Sequence, residues 1–229
     1  MREGQSVKLF LGDVRPESLT DPVTIDLASR KVEQVYGGAS RMSDVGQLER
    51  KTQERVVQLF QDSLSFDYLG NWEYRADNSN IEADLLAQNL RARGYSEVLV
   101  GKAIAELNKA AALGGGRDLY EANQGVYGLL RYGVKVKAGI GEQFETVWLI
   151  DWANPQANHF AVAEEVTVLG HFAKRPDVVV YVNGIALVTL ELKRSKVALA
   201  EGIRQTIGNQ RPEFIRPFFS TVQLVMAGN

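Results

Sequence analysis

Apolar positions recur at helical spacing through the first half of the chain. Between residues 48 and 65 they repeat every three or four positions, which predicts an amphipathic helix. Further helices are predicted over 80–91, 96–113 and 118–130; a polar cap opens the first of these, and Gly114-Gly115-Gly116 ends the second. The first 45 residues, rich in Gly, Ser, Asp and Arg, follow neither period.

After Gly133 the pattern changes to short runs rich in β-branched residues, which are typical of strands. The predicted strands cover residues 134–138, 143–151, 161–169, 177–182, 185–193 and 221–226, and a helix is predicted over 198–209. Helices first, then strands with one crossover helix, predict an α/β fold. We therefore expect a mixed central β-sheet flanked by helices, with a largely helical amino-terminal half.

A length of 229 residues and an apolar fraction of 45% suit one large domain. We predict an amino-terminal extension over residues 1–45 and a domain over 46–229, helical to about 131 and sheet-based from about 132. A buried strand so close to residue 229 leads us to expect that this is the front piece of a longer protein.

Composition excludes several chemistries. The chain has no cysteine, so disulfides, thiolate nucleophiles and cysteine-bound zinc are excluded, which fits a cytoplasmic protein. Its apolar runs are far shorter than the roughly 20 residues that cross a bilayer, so we expect no membrane association. The net charge of −2 neither indicates nor excludes nucleic-acid binding, because a metal-dependent nuclease carries a local group of carboxylates.

Candidate chemistry gathers at one predicted hairpin. Asn183-Gly184 between two apolar runs is a strong hairpin signal. Side chains alternate along a strand, so Glu191 and Lys193 share one face while Leu192 points to the other.

The turn geometry decides whether Asp177 joins them. A two-residue loop would pair Asp177 with Leu190, on the wrong face. A three-residue loop with a bulge at Gly184 would place Asp177 opposite Thr189, on the face of Glu191. A functional site therefore predicts the three-residue loop.

Two neighbouring carboxylates repel each other unless a cation lies between them, and their oxygens are ligands that Mg²⁺ prefers. Asp177 and Glu191, with the backbone carbonyl of Leu192, are thus candidate Mg²⁺ ligands for phosphodiester hydrolysis. Lys193 would orient the attacking water or stabilise negative charge. The alternative from spacing alone is a buried hairpin whose charged ends are solvated.

From about residue 144 to 229 the chain resembles the amino-terminal region of the restriction (motor) subunit of type I restriction–modification enzymes. The similar segments are Leu149–Trp152, Asn154-Pro155, Asn158–Phe160, Arg175–Asp177 through Val182–Gly184, Leu190–Lys193, Ala200–Gln205, Phe218-Phe219 and Gln223–Asn229. In that family this region is a nuclease of the PD-(D/E)xK type, with a restriction-endonuclease-like fold.

The resemblance implies a role for each matching position. Asp177 and Glu191 would bind the metal, and Lys193 would be the catalytic lysine. Gln205 matches the glutamine of a further motif, although Asn209 stands where that motif has a tyrosine.

The resemblance also implies partners. The substrate would be double-stranded DNA, cut within a complex with modification and specificity subunits that supply sequence recognition. A DNA-translocating ATPase would follow residue 229, so ATP would serve that part of the subunit and not this chain.

Other charged residues are weaker candidates. Asp151 is either an acid near the site or the cap of a turn, and Glu165, Glu49 and Glu54 are further candidate acids. A basic group near Lys193 would hold DNA phosphates or form an ordinary solvated face; it comprises Arg194, Lys196, Arg204 and Arg211, with Arg216 less clearly a member.

The main hypothesis is a Mg²⁺-dependent endonuclease domain within a type I restriction enzyme. The competing hypothesis is a non-catalytic nuclease-like module that docks DNA or another subunit. A third possibility, a free-standing nuclease with its own specificity, would require site-selective cleavage by this chain alone.

Overall fold

The computed structural model describes residues 8–10, 44–193 and 198–228. Five α-helices lie within these ranges: α1 (Asp44–Gln58), α2 (Ala83–Ala92), α3 (Glu97–Ala111), α4 (Leu119–Tyr132) and α5 (Leu199–Asn209). The sequence predicted all five. Helix α1 continues into a π-helical turn, Leu59–Ser63. Polar caps begin α3 and α4 at Ser96 and Asp118, and these caps accept hydrogen bonds from backbone amides of the first turn.

Eight strands lie in the described ranges: β1 (Lys8–Phe10), β2 (Asp67–Asn71), β3 (Val134–Val136), β4 (Glu145–Val147), β5 (Phe160–Glu164), β6 (Val178–Val182), β7 (Ile185–Leu192) and β8 (Leu224–Gly228). Six of them form the central sheet in the order β1-β8-β7-β6-β5-β2. The β2–β5 and β7–β8 pairs are parallel and the others antiparallel. The expected mixed sheet is confirmed.

The two faces of the sheet pack against different helices. On one face, Val57 of α1 joins a buried cluster with Val178, Val180, Leu190 and Leu192, which alternate along β6 and β7.

The opposite face of the sheet carries the residues that alternate with these along β6 and β7. There Val179 and Tyr181 pack with Phe218 and Phe219 of a 3-10 helix, Arg216–Ser220. Helix α5, which links β7 to β8, lies on this second face, where its Gly202 approaches the Ala227 side chain.

Helices α2, α3 and α4 share a third buried cluster with the turn end of the β6–β7 hairpin, through Val182 and Ile185. Among the strands that the structure describes, β3 and β4 pair with each other alone, as a two-stranded sheet beside α3. The two predicted strands over 134–138 and 143–151 therefore exist in shortened form outside the central sheet.

Strands β1 and β2 were not predicted. β1 falls within the predicted extension and pairs with β8; the domain boundary near residue 45 stays a prediction. Within the described part of the chain, every helix is too short or too polar to cross a bilayer.

Candidate active site

The turn of the β6–β7 hairpin contains two residues, not three. Val182 pairs with Ile185, and the loop between them is Asn183-Gly184, with φ of 52° and 80°. Both values lie in the left-handed region that a two-residue type I′ turn requires. The expected three-residue loop is therefore wrong.

Contacts of the buried Asn183 explain the tight turn. Its side-chain amide donates to the carbonyl of Leu149 and to Asn158, each at 2.8 Å, and its Oδ1 accepts from the amide of His159 at 2.7 Å. Asn183 makes these bonds in the left-handed conformation, and its partners lie 24 to 34 positions away in the sequence.

The extra residue lies inside β7 instead. Tyr181 pairs with Ala186 but Val180 pairs with Val188, so Leu187 forms a β-bulge. Leu187 packs against the cluster shared with α2–α4. The bulge shifts the strand register beyond it by one residue. The sequence had led us to expect this shift at the turn.

This shift puts Asp177 on the face of Glu191. Val178 pairs with Leu190 and Val179 with Thr189, so the next position, Asp177, comes opposite Glu191 at the open end of the hairpin. Asp177 had been expected opposite Thr189, and that detail is wrong. The two acids still share one face, because directly opposed residues of an antiparallel pair point the same way.

Asp177, Glu191 and Lys193 form one cluster, which we call the DEK cluster. The carboxyl group of Asp177 lies close enough to that of Glu191 to raise its pKa, and the Lys193 Nζ donates to Glu191 Oε1 at 2.8 Å. The backbone amide of Leu192 donates to Asp177 Oδ2 at 2.6 Å. Glu191 is 2% exposed and Asp177 is partly buried.

Burial and the neighbouring Asp177 raise the pKa of Glu191 to about 8, against the opposing effect of Lys193. Loss of hydration is the larger cause, because a carboxylate without water is stabilised only by its neighbours. Because burial favours the protonated form of Glu191, the two carboxyl groups can lie close together. A divalent cation in place of that proton would leave both groups ionised.

Helix α5 encloses the cluster on the side of β8. A Cβ added to Gly202 would meet the Ala227 Cβ at 3.1 Å, the Lys193 Cγ at 3.6 Å and the Glu191 carbonyl at 3.7 Å. Glycine therefore lets α5 pack directly against the lysine. On the same helix Gln205 is exposed and Asn209 is buried; the supporting role of Gln205 stays a prediction.

Thr189 was not named as a site residue, although strand alternation places it on the Glu191 face. It is 3% exposed, and its hydroxyl has no hydrogen-bond partner among the described residues. A buried hydroxyl normally has a partner. Its position two residues from Glu191 is consistent with a hydrated or ligand-bearing site.

The other candidate acids lie elsewhere. Asp151 Oδ1 accepts the amides of Ala153 and Asn154, so it caps a turn near the Asn183 end of the hairpin. Glu165 pairs with Arg175 at 2.7 Å.

Glu54 is exposed on α1 and pairs with Arg50 at 3.2 Å, across the sheet from the DEK cluster. The side chain of Glu49 lies outside the described part. The described ranges contain no group of three or more His, Cys, Asp or Glu that could hold a metal. The proposed donors are thus two carboxylates and the Leu192 carbonyl.

The predicted DNA-binding residues are only partly described. Arg204 and Arg211 are exposed, on α5 and just after it. Arg194 and Lys196 lie outside the described residues. Arg216 begins the 3-10 helix, and its buried Nε has no acceptor in the described part of the chain. Phosphate binding by these residues stays a prediction.

Fold and cluster together define an α/β protein that carries two carboxyl groups and an amine at the open end of a bulged hairpin. A family model described as the type I restriction enzyme R protein N terminus matches residues 46–229. The match covers well over half of the chain, and the chain belongs to this family. The resemblance inferred from residues 144–229 is thereby confirmed, and membership supports a nuclease-like role in a restriction system.

Proposed function

We propose that this chain is a Mg²⁺-dependent endonuclease domain that hydrolyses the backbone of double-stranded DNA within a type I restriction enzyme. The observation that carries the proposal is the contact of Asp177, Glu191 and Lys193 at one place. Family membership supports the restriction context. The modification and specificity subunits are the proposed partners, and they would select the DNA.

The donor set fits the proposed metal. Asp177 and Glu191 offer hard oxygen ligands, and their mutual repulsion, relieved here by a proton, would equally be relieved by a cation. The Leu192 carbonyl is a proposed third protein ligand. A bound Mg²⁺ would neutralise charge on a phosphate oxygen and acidify a water molecule.

The protein groups have separate tasks in this proposal. Asp177 is fixed by the Leu192 amide, which holds its carboxylate toward Glu191. Glu191 would be ionised with a divalent cation bound, and the Lys193 ammonium, which donates to Glu191 Oε1 in the metal-free cluster, would then donate to a phosphate oxygen or to the attacking water. The water oxygen would bond to phosphorus as one backbone P–O bond breaks; the water would give up a proton to solvent, the departing oxygen would take one from solvent, and Lys193 would stabilise the charge that develops.

Cleavage of circular DNA by the assembled enzyme tests the proposal. Lys193→Met keeps the length of the side chain and removes its charge, and Asp177→Asn keeps its shape. We expect each variant to lower the cleavage rate by at least about 100-fold, because each removes a group acting on the reacting atoms. ATP hydrolysis by the assembled enzyme should be unchanged.

Lys109→Met is the matched control, since Lys109 is an exposed α3 residue paired with Glu106. It should cut DNA at the normal rate. Normal cleavage by both cluster variants would instead favour the competing hypothesis, a docking module without catalytic activity.

A further inference from the structure

The outer surface of the β3–β4 sheet carries exposed rings and cations in alternation. Lys135 pairs with Thr146, and both point away from Val134, Val136 and Val147, which are buried. One step toward the tip, the Lys137 Nζ lies 4.5 Å from the ring centre of Phe144.

One step in the other direction, Gly133 lies beside Trp148. A Cβ added to Gly133 would come within 3.4 Å of the Trp148 ring and 2.5 Å of the Thr146 methyl group. Glycine at this position leaves room for the indole. We call this surface the outer hairpin face; its residues are Lys135, Lys137, Phe144, Thr146 and Trp148.

The exposure of its rings is unusual for a folded domain. Phe144 is 67% exposed and Trp148 is 40% exposed. Two residues before Gly133, the last turn of α4 carries Arg131, whose guanidinium lies 5.7 Å from the ring centre of Trp152, itself 51% exposed. Neighbouring exposed aromatic residues normally mark a binding surface.

Positive charge dominates this face. Arg131 and Lys135 form no ion pair with any residue in the described ranges. Glu145 pairs with the buried Val136, so its Cβ points away from the outer hairpin face. The ligand should therefore be an anion that also offers flat apolar groups.

We propose that the outer hairpin face binds single-stranded DNA, with bases stacked on Trp148 and Phe144 and phosphates held by Lys135 of the face and by Arg131 of α4. Proteins that bind single-stranded nucleic acid without sequence preference combine aromatic rings, on which bases stack, with cations that contact the phosphates. In duplex DNA the bases are already stacked on one another and offer the rings no open faces.

The composition argues against a protein partner at this face. Arg and aromatic residues are enriched at protein interfaces, but lysine is depleted there, and two lysines lie among the rings here.

The proposed strand-binding site is separate from the DEK cluster. Residues 148–150 follow β4, and the Leu149 carbonyl contacts Asn183 at the turn end of the β6–β7 hairpin, whereas Asp177 and Glu191 lie at its open end. The five residues of β6 between these ends span roughly 15–20 Å. The proposal therefore does not depend on the DEK cluster being catalytic.

Binding is measured by fluorescence anisotropy of labelled oligo(dT) of about 15 nucleotides, a length typical of such sites, and of a duplex of equal length. The chain is used in EDTA, so that no metal-dependent contact contributes. We expect preferential binding of the single strand, accompanied by quenching of tryptophan fluorescence. Trp148→Leu and Phe144→Leu should each weaken binding roughly tenfold, whereas Trp148→Phe, which keeps a ring, should retain most of it.

Lys135→Glu should weaken binding and flatten its salt dependence, because a phosphate contact is lost. Lys109→Glu and Tyr74→Leu change an exposed lysine and a 92% exposed tyrosine elsewhere, and should have no effect. Asp177→Asn should also bind normally, which separates this proposal from the proposed nuclease function. Thermal unfolding of each variant identifies loss of binding through misfolding.

Equal binding of single strand and duplex, or unchanged binding by Trp148→Leu and Phe144→Leu, would overturn the proposal. A second result would also overturn it: the variants fail to assemble into the restriction complex but still bind oligo(dT). The face would then be a subunit interface.

Discussion

The carboxyl group of Glu191 is almost completely buried and lies beside the carboxyl group of Asp177. Ordinary burial of a glutamate is costly unless the group is paired or protonated. Here Lys193 pairs with Glu191, but burial and Asp177 outweigh that pairing and raise the pKa of Glu191 to about 8. This combination makes Glu191 sensitive to both pH and divalent cations.

Stability of the metal-free protein should therefore fall as the pH rises. The pKa of Glu191 is 4.5 in the absence of the fold and about 8 within it, so the folded state holds the proton more tightly than the unfolded state. The free energy of unfolding then decreases between about pH 4.5 and 8. In EDTA, we expect Tm to be lower at pH 8.5 than at pH 6 by calorimetry.

The Glu191→Gln variant isolates this contribution. It should show a flatter Tm profile across the same window and should exceed the unmodified protein in Tm at pH 8.5. Added Mg²⁺ should raise Tm at pH 8.5 in the unmodified protein and have little effect on the variant. A profile that is equally steep in both proteins would show that Glu191 is not the group responsible.

Single residues were predictable where strand alternation alone decides their position. The common face of Glu191 and Lys193 follows from their spacing of two. The same rule places Thr189 on that face, but its missing hydrogen-bond partner becomes visible only in three dimensions. The capping role of Asp151 likewise depends on how the chain turns after it.

Among the secondary-structure elements, the β6–β7 hairpin depends most on contacts distant in sequence. Gly184 has φ of +80°, and its carbonyl accepts the amide of Glu82 at 2.8 Å. A Cβ at this position would meet the Glu82 carbonyl oxygen at 2.7 Å and the Leu85 Cβ at 2.8 Å. The turn is therefore packed against the start of α2.

Gly184→Ala should destabilise the domain by about 2–4 kcal/mol. The estimate combines the cost of a left-handed alanine with that of an overpacked contact to backbone atoms. Chemical denaturation in urea measures the loss directly. Cleavage activity should fall only as far as the folded fraction does, because the turn lies at the far end of the hairpin from Asp177.

Gly115→Ala is the matched control. Gly115 also has a positive φ, +63°, but a Cβ there would meet nothing within 4 Å. Gly115→Ala should lower the free energy of unfolding only by the cost of a left-handed alanine. Equal losses in the two variants would show that packing against α2 contributes little.

The hairpin also shows why its register could not be predicted. Turn length and sequence spacing allowed either a bulge at the turn or none. The side-chain bonds of Asn183 and the packing of Leu187 moved the bulge into β7, and both involve partners outside the hairpin. The predicted outcome, two acids on one face, was reached by a different geometry.

Across the whole molecule, helix positions were predictable because each amphipathic pattern and its caps are local. Sheet membership was not, because it depends on pairing. β2 has a mixed apolar and polar sequence and two glycine or asparagine residues, so no strand was expected, yet it pairs with β5. β3 and β4 have strand-like sequences, but within the described ranges they pair with each other and lie outside the central sheet.

The whole-molecule arrangement encloses the DEK cluster between the open end of one hairpin and α5. Two different segments provide its acids, and α5 limits the space around the lysine. The central claim of the proposed function is that Asp177 and Glu191 together bind a divalent metal.

Iron-directed cleavage of the protein tests that claim most directly. Fe²⁺ replaces Mg²⁺ at oxygen-ligand sites, and with ascorbate and peroxide it generates radicals that cut the nearby backbone. We predict cuts close to residues 177 and 191–193, which excess Mg²⁺ suppresses and Asp177→Asn abolishes. Cuts confined to other parts of the chain, with DNA cleavage by the assembled enzyme intact, would contradict the account.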